Sequence, residues 1–262
     1  MAYSLFNPPL QAVEIEINSF CNRKCLNCPN HDHERPIAFL EDGLYYRIID
    51  ELAALHFSGR LTYNMFNEPL LDKRLPAFIA YARKMLPSVF IYLNTNGDLL
   101  DLNMWQNLRR AGLDFANVSQ YDGRYNQNVQ NLLDAVDDEE KKHIFHRVFD
   151  IEKDATNLGG SVPGVTRSSL PVKEFCVRPF YQLCVNYRGR VVLCCSDYFG
   201  AVEIGDLHRQ SIKQLWRNWK FVYYRYKLMR KNRAGLRLCR DCDNMDVAVP
   251  QFPLKNRENP NV

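Results

Sequence analysis

The sequence lacks the features that direct a chain into a membrane or through one. Its first nine residues, Met1 to Pro9, hold neither a basic cluster nor a long apolar run, and a secretory signal needs both. No stretch elsewhere approaches the roughly 20 apolar residues of a membrane span. Internal repeats are absent as well. We therefore expect a cytoplasmic protein with no membrane partner.

Strong net charge is also lacking. The 34 Lys and Arg residues and 30 Asp and Glu residues leave a formal charge of +4, which does not require a polyanionic partner. Forty-six per cent of the 262 residues are apolar and 12% are aromatic. This composition argues against disorder and suits one main core with a small appended module.

No cysteine lies between Cys28 and Cys176, although the chain has nine. Three precede this gap and six follow it. A disulfide framework is not expected in a chain without an export signal. The two separate groups of thiols therefore predict two metal sites.

Between the two thiol groups, strand and helix patterns alternate with short connections. Val13, Ile15 and Ile17 alternate with two glutamates and predict a half-buried strand. Four further strand and helix patterns follow. Such repeats are typical of a parallel α/β sheet with right-handed crossovers. About 150 residues are too few for an eight-fold barrel, so we predict a partial (β/α)6-type TIM barrel.

The sequence beyond the barrel predicts a small C-terminal domain. Arg188-Gly189 is the turn of a predicted hairpin, and Ser211 and Gln214 form a potential capping box that opens a helix through Trp219. The predicted organisation is a barrel at 1–154, a connection at 155–175, the hairpin-and-helix domain at 176–254 and a flexible tail at 255–262.

The first thiol group is Cys21-x3-Cys25-x2-Cys28, in a loop directly after the first strand. Three thiolates can hold three irons of a cubane and leave the fourth iron open to bind a small molecule. The spacing resembles that of the radical S-adenosylmethionine (SAM) superfamily. The resemblance implies a SAM-binding [4Fe–4S] cluster at Cys21, Cys25 and Cys28. The alternative is a zinc site completed by a nearby histidine, His31 or His33.

Polar residues follow three successive predicted strands. The resemblance places Asn67 and Glu68 at the SAM amine, with Asn67 where the superfamily usually has glycine. It places Asn96 and the pair Ser119 and Gln120 at further SAM contacts. The carboxyl ends of parallel strands share one rim, where α/β proteins build their sites. Each short motif alone is equally typical of a turn or a helix cap.

The second thiol group takes its register from Gly189. Cys176, Cys194, Cys239 and Cys242 come from three separated segments and form a closed set for one cluster. The arrangement resembles the twitch domain of radical SAM enzymes, the shorter relative of the SPASM domain. This implies an auxiliary [4Fe–4S] cluster whose role is electron transfer. A structural zinc at the same four thiolates is the alternative.

Cys184 and Cys195 remain outside both sets. Alternation within a strand predicts that Cys184 is a buried apolar thiol. Cys195 follows a ligand, so on a strand it points away from Cys194. It is either inertly packed or presented to the active site, where a thiol can donate a hydrogen atom.

Seven cations and four aromatic residues occupy the segment from Lys220 to Arg237. An RNA-binding stripe would have this composition. A helix with a solvated basic face and an aromatic core face explains it as well. We favour the helix and expect no nucleic-acid partner. The cations are Lys220, Arg225, Lys227, Arg230, Lys231, Arg233 and Arg237, and the aromatic residues are Phe221, Tyr223, Tyr224 and Tyr226.

From Val13 to about Asn244 the sequence resembles the twitch-domain aminocyclitol dehydrogenases of antibiotic biosynthesis. Matching stretches include Cys28-Pro-Asn30, Ser58-Gly-Arg60 and Thr95-Asn-Gly-Asp98. The resemblance implies hydrogen abstraction from a carbinol carbon and oxidation to a ketone, with the auxiliary cluster as electron acceptor. It further implies a small polar substrate and an external reductase such as flavodoxin or ferredoxin.

Two departures limit what the resemblance implies about the substrate. Leu158 stands where the dehydrogenases place an arginine, and Cys195 where they have no cysteine. The extra thiol leaves open an epimerase of a sugar or peptide, with Cys195 as hydrogen-atom donor. A non-catalytic electron-transfer or metal-binding module is the third alternative.

Overall fold

A computed structural model describes residues 6–121, 126–165 and 168–250. The predicted tail at 255–262 lies outside these ranges. The strands and helices in chain order are β1 Ala12–Ile15, α1 Asp42–Ala54, β2 Arg60–Thr62, α2 Leu75–Met85, β3 Phe90–Thr95, α3 Leu102–Ala111, β4 Phe115–Gln120, α4 Gln127–Ala135, α5 Asp138–Lys141, β5 Ile144–Val148, α6 Ile151–Asp154, α7 Arg178–Tyr181, β6 Gln182–Val185, β7 Arg190–Val192, β8 Glu203–Asp206, α8 Ile212–Trp216 and α9 Trp219–Met229.

The strands form one eight-stranded sheet in the order β5-β4-β3-β2-β1-β6-β7-β8. Strands β1 to β6 are parallel to one another, whereas β7 pairs antiparallel with both β6 and β8. Val13 pairs with Leu61 on one side and with Leu183 on the other. The predicted α/β class is confirmed. The sixth parallel strand comes from the predicted C-terminal domain, so the two predicted units share a sheet, and their boundaries stay a prediction.

Local signals define the helix and turn ends. Asp101 accepts a hydrogen bond from Met104 N at the start of α3, and Gly112 ends that helix in a left-handed conformation with φ of 106°. The predicted capping box is present, with Ser211 and Gln214 each bonded to the other's backbone. Gly189, with φ of 71°, makes the turn between β6 and β7.

The polar face of β1 points into the barrel rather than into solvent. Glu16 is fully buried and pairs with Arg35 at 2.9 Å, and Glu14 lines the central cavity. The alternation predicts a strand with one face in solvent, and this prediction is wrong, because Glu16 is buried and Glu14 lines a cavity. β1 lies in the middle of the sheet, between β2 and β6, so neither of its faces is a solvent face.

The basic segment from Lys220 to Arg237 differs from its prediction in the bounds of its helix, in two exposed tyrosines and in two buried arginines. The helix that opens at Ser211 stops at Trp216, and Asn218 caps a new one, α9, which ends at Met229. Phe221 and Tyr224 are buried as predicted, whereas Tyr223 and Tyr226 are exposed.

Two of the segment's seven predicted surface cations are buried. Arg225 donates to the carbonyl oxygens of Pro179 and Trp216, and Arg233 to that of Asn244. Burial lowers the pKa of Arg225 to about 9. These two arginines therefore hold interior backbone segments together instead of facing solvent. The aromatic residues predicted for the core are in part exposed, since Tyr223 and Tyr226 lie on the surface.

Among the described residues, no helix combines the length and apolar character needed to cross a membrane.

Candidate active site

The loop after β1 brings three thiols to the rim of the barrel. The backbone N–H of Cys28 donates to the carbonyl oxygen of Cys25 at 3.0 Å, and a short 3-10 turn, Pro29–His31, follows. Both histidines of the zinc alternative have other contacts. The Nδ1 atom of His31 lies 3.0 Å from the carbonyl oxygen of Lys24, and the ring of His33 packs edge-on against Phe199.

Asp98 anchors this loop to the turn after β3. Arg23 donates to both carboxylate oxygens of Asp98, at 2.7 and 2.5 Å, and Asn22 donates to one of them at 2.7 Å. These bonds lower the pKa of Asp98, with the Arg23 bond as the largest cause. A bidentate arginine–carboxylate pair fixes orientation as well as distance. The cysteine loop is therefore held against the rim.

Glu68 is buried where β2 is followed by a short turn. Its carboxylate accepts hydrogen bonds from Thr95 Oγ1 at 2.8 Å, Asn96 N at 2.9 Å and Leu70 N at 3.1 Å. Burial raises its pKa to about 7 despite these donors. Glu68 borders the same cavity as the three thiols.

The other predicted SAM contacts divide into two groups. Asn67 and Asn96 line the cavity, and Asn96 Nδ2 lies 3.7 Å from the sulfur of Cys21. Ser119 and Gln120 are buried at the end of β4 and are not among the residues that line it. Gln120 donates instead to the carbonyl oxygen of Asn96 at 2.6 Å, so it supports the turn from behind. All four SAM contacts stay predictions.

The three thiols open onto a cavity of about 350 Å³ within the barrel. Its lining includes the polar residues at the strand ends. It also includes Leu158, Arg178 and Cys195, with Glu14 from β1. The cavity therefore extends from the predicted SAM site to the C-terminal part of the chain.

Arg178 and Cys195 add polar groups to the lining of this cavity. Arg178 Nη1 donates to the sulfur of Cys195 at 3.1 Å and to Ser196 Oγ at 2.8 Å, while its Nε donates to Asp246 at 2.7 Å. Cys194 borders a different, smaller cavity. Adjacent cysteines thus border different cavities, although both lie beyond the end of β7 at Val192, where the strand alternation assumed for them does not apply.

Cys184 does not have the purely apolar surroundings predicted for it. It is fully buried, and its thiol donates to Glu14 Oε2 at 3.8 Å. A hydrogen bond between the two thiols lowers the pKa of Cys195 to about 6, with Arg178 adding to the effect and burial opposing it. Burial, and then Cys195, raise the pKa of Glu14. The single Cys184 proton serves one of these acceptors at a time.

The small cavity is bordered by all four thiols of the second predicted set. Leu193 and Leu238 also line it, and Arg178 reaches it from the side of the larger cavity. Burial raises the pKa of Cys239 and Cys242, so metal binding must displace their protons. Four soft ligands around an enclosed, largely apolar space fit an iron–sulfur cluster.

Over the described ranges, no three His, Cys, Asp or Glu side chains lie close enough together to hold a single metal ion. The thiols of each set instead surround a cavity.

Comparison with known proteins defines the family. Residues 15–169 match the radical SAM superfamily, and residues 176–243 match the SPASM iron–sulfur cluster-binding domain. The protein belongs to the radical SAM superfamily. Its cofactors are SAM, a SAM-binding [4Fe–4S] cluster and auxiliary iron–sulfur chemistry in the SPASM region.

Among its relatives is the SAM-dependent 2-deoxy-scyllo-inosamine dehydrogenase of Niallia circulans. The two are 29% identical over 242 residues, covering 91% of this chain and 95% of the relative. The crystal structure of BtrN with AdoMet and 2-DOIA matches with a TM-score of 0.84 and 27% identity, covering 91% and 94% of the two chains. BtrN in an open conformation matches with a TM-score of 0.72 and 25% identity, covering 90% and 92%.

Sequence reasoning missed Glu14 and Arg178 as cavity residues. A glutamate alternating with apolar residues on a central parallel strand was a usable signal for Glu14, because such strands have no solvent face. Arg178 gave no comparable signal, since it occupies a four-residue helix between two predicted elements.

Proposed function

We propose that this protein oxidises a secondary alcohol of an aminocyclitol to a ketone in natural-product biosynthesis. The supporting observation is the position of Arg178, which borders both the cavity below the three-cysteine loop and the small cavity among the other four thiols. A substrate in the larger cavity would lie between a radical source and an electron acceptor. The likeness to a SAM-dependent aminocyclitol dehydrogenase over nearly the whole chain points to the same reaction.

The cofactors, when bound, supply a 5′-deoxyadenosyl radical that abstracts hydrogen from the substrate and an acceptor for the one electron that the resulting substrate radical gives up. The chain supplies positioning. Glu68 is placed to accept hydrogen bonds from the SAM amine, and Arg178 can donate to a substrate hydroxyl. A nicotinamide would not be required, because a cluster held by the four thiols at the small cavity would supply the one-electron acceptor.

Glu14 favours an amine-bearing substrate over a neutral sugar. Its carboxyl faces the cavity in a setting where burial raises its pKa. A substrate ammonium beside it would stabilise the carboxylate by charge pairing and a hydrogen bond. We therefore place the substrate's ammonium group at Glu14.

The test uses anaerobically reconstituted protein with SAM, dithionite and either 2-deoxy-scyllo-inosamine or the corresponding deoxyinositol, in which a hydroxyl replaces the amine and the ring is otherwise the same. We expect 5′-deoxyadenosine and ketone in equal amounts, with the amine-bearing substrate preferred. Glu14→Gln should raise the KM of the amine and change that of the deoxyinositol little. SAM cleavage with no ketone from either compound would exclude the proposed reaction and leave the superfamily assignment intact.

Epimerisation is the second candidate, because Cys195 lines the cavity. An epimerase must return a hydrogen atom to the substrate carbon from the opposite face. An inverted alcohol in place of the ketone would establish it.

A further inference from the structure

The surface of α9 is not used by the proposed reaction, although it carries an unusual composition. Between Leu207 and Arg240 the sequence has eleven Lys and Arg residues and no Asp or Glu. The rest of the chain holds 23 basic and 30 acidic residues. A nearly balanced total therefore conceals one strongly basic segment on an otherwise acidic protein.

Four large side chains form one exposed stripe along α9, the α9 outer stripe, composed of Trp219, Tyr223, Tyr226 and Met229. Trp219 is 71% exposed, Tyr223 42% and Tyr226 41%. Their spacing of four, three and three residues places them on one helix face. Tryptophan and tyrosine are enriched in the cores of protein interfaces. Single exposed apolar side chains are common on protein surfaces, whereas these four lie next to one another and form a continuous patch.

Cations lie on the rings of the stripe. Lys227 Nζ is 5.8 Å from the ring centre of Tyr223, and the guanidinium carbon of Arg230 is 4.8 Å from that of Tyr226. Lys220 donates to the backbone carbonyl oxygen of Glu203, which leaves its charge unneutralised. The surface thus offers apolar contact and positive charge together, which suits a partner with acidic groups around an apolar patch.

The opposite face of α9 borders the auxiliary site. Leu228 lines the small cavity among the four thiols, and Tyr224 Oη donates to the carbonyl oxygen of Arg237, two residues before Cys239. A helix with its side chains is about 10–12 Å across. One helix thickness therefore separates the outer stripe from the second thiol set.

We infer that the α9 outer stripe is the docking surface for an acidic one-electron carrier protein that reoxidises the auxiliary cluster. The inference rests on the proposed function, which leaves one electron on that cluster in each turnover. The cluster loses this electron to the carrier, whose oxidised prosthetic group is reduced by one electron. A nucleic acid would also match the charge, but it would have no reason to bind beside a redox centre.

The experiment measures binding of oxidised flavodoxin to the anaerobically reconstituted protein by calorimetry at low ionic strength. We expect binding that weakens with added salt. Lys227→Glu with Arg230→Glu should weaken it about tenfold or more, because two attractive charges become repulsive. Trp219→Ala with Tyr223→Ala should weaken it with less salt dependence. Lys73→Glu with Lys84→Glu on the barrel makes the same change in net charge and should stay within about twofold.

A kinetic measurement gives a second readout. Protein whose auxiliary cluster has been reduced is mixed with oxidised flavodoxin, and the flavin absorbance reports arrival of the electron. The α9 charge variant should slow this transfer, whereas the barrel control should not. Ketone formation with dithionite as electron source should be the same in all forms.

The outcomes separate the two proposals. Unchanged flavodoxin binding in both α9 variants would overturn the docking surface and leave the proposed function standing. Absence of ketone from every form, with binding lost only in the α9 variants, would remove the proposed function and retain the docking surface. Binding of a single-stranded RNA 20-mer through α9, with no flavodoxin binding, would assign the surface to nucleic acid and overturn the inference.

Discussion

At the scale of single residues, the site depends on carboxylates and thiols whose properties are set by burial. Glu68 is buried with three hydrogen-bond donors yet has a pKa raised to about 7. Desolvation of the charged form therefore outweighs the stabilisation by those donors. If Glu68 binds the SAM amine, as we propose, this raised pKa makes SAM binding dependent on pH near neutrality.

Replacing Glu68 with Ala should weaken SAM binding about tenfold or more without loss of iron, because a charge-assisted hydrogen bond contributes roughly 1.5–3 kcal/mol. In the wild type, SAM affinity should fall as the pH drops through about 7, since the carboxylate becomes protonated there. The Ala variant should lack that dependence. Calorimetry at several pH values, with iron content measured at each, makes the comparison. Equal affinities would place the SAM amine elsewhere.

Cys195 separates oxidation from epimerisation. Its sulfur faces the cavity and accepts a hydrogen bond from Arg178 at 3.1 Å. If the product is a ketone, Cys195→Ala should still form it, because the electron leaves through the auxiliary cluster. The measurement is product analysis in deuterated water. Deuterium at an inverted carbon, lost in Cys195→Ala, would establish the epimerase in place of the dehydrogenase.

At the scale of elements, the hairpin turn between β6 and β7 sets the register of the auxiliary region. Gly189 has φ of 71°, and a Cβ atom there would lie 2.3 Å from Leu44 Cδ2 on α1. This turn connects the sixth parallel strand with the antiparallel strand that leads to Cys194. The left-handed conformation of Gly189, which is unfavourable for other residues, therefore lies in the turn that precedes Cys194 of the second thiol set.

Gly189→Ala should lower the free energy of unfolding by about 1–2 kcal/mol, the cost of a left-handed conformation for alanine. Gly43→Ala is the matched control. Gly43 lies in α1, and a Cβ atom there has nothing within 4 Å, so the same change should raise stability by about 0.5–1 kcal/mol. Denaturant titration of both variants gives the result. A stabilised Gly189→Ala would mean that the turn readily adopts another conformation.

At the scale of the whole molecule, the two thiol sets border separate cavities of one continuous sheet. Neither set shares a cysteine with the other. The protein should therefore load two clusters independently, while Arg178 links the spaces that they border.

Anaerobic reconstitution should load about eight irons per chain, four for each cubane. Replacing Cys21, Cys25 and Cys28 together with Ala should leave about half, because the second set keeps all four ligands. Elemental analysis for iron and zinc makes the measurement. Residual iron near zero would show that the second site depends on the first, and zinc there would remove its role as electron acceptor.

The sequence by itself determined the cofactors and the α/β class. Cys21, Cys25 and Cys28 lie within eight residues, so their chemistry is encoded by local spacing. The helix α3, Leu102–Ala111, and the strand β4, Phe115–Gln120, are among the elements that the pattern predicts, because hydrophobic period and caps agree there. Local chemistry of this kind needs no knowledge of distant neighbours.

Tertiary structure decided which face of each helix or strand is buried and which is exposed. Glu14 and Glu16 looked solvent-exposed on an alternating strand, but that strand lies in the middle of the sheet, where Glu16 pairs with Arg35 and Glu14 faces the cavity. Tyr223 and Tyr226 looked like core residues, but the break at Asn218 set the rotation of α9 and left them on the surface. A pattern fixes the period of an element, whereas its partners in space determine which face is buried.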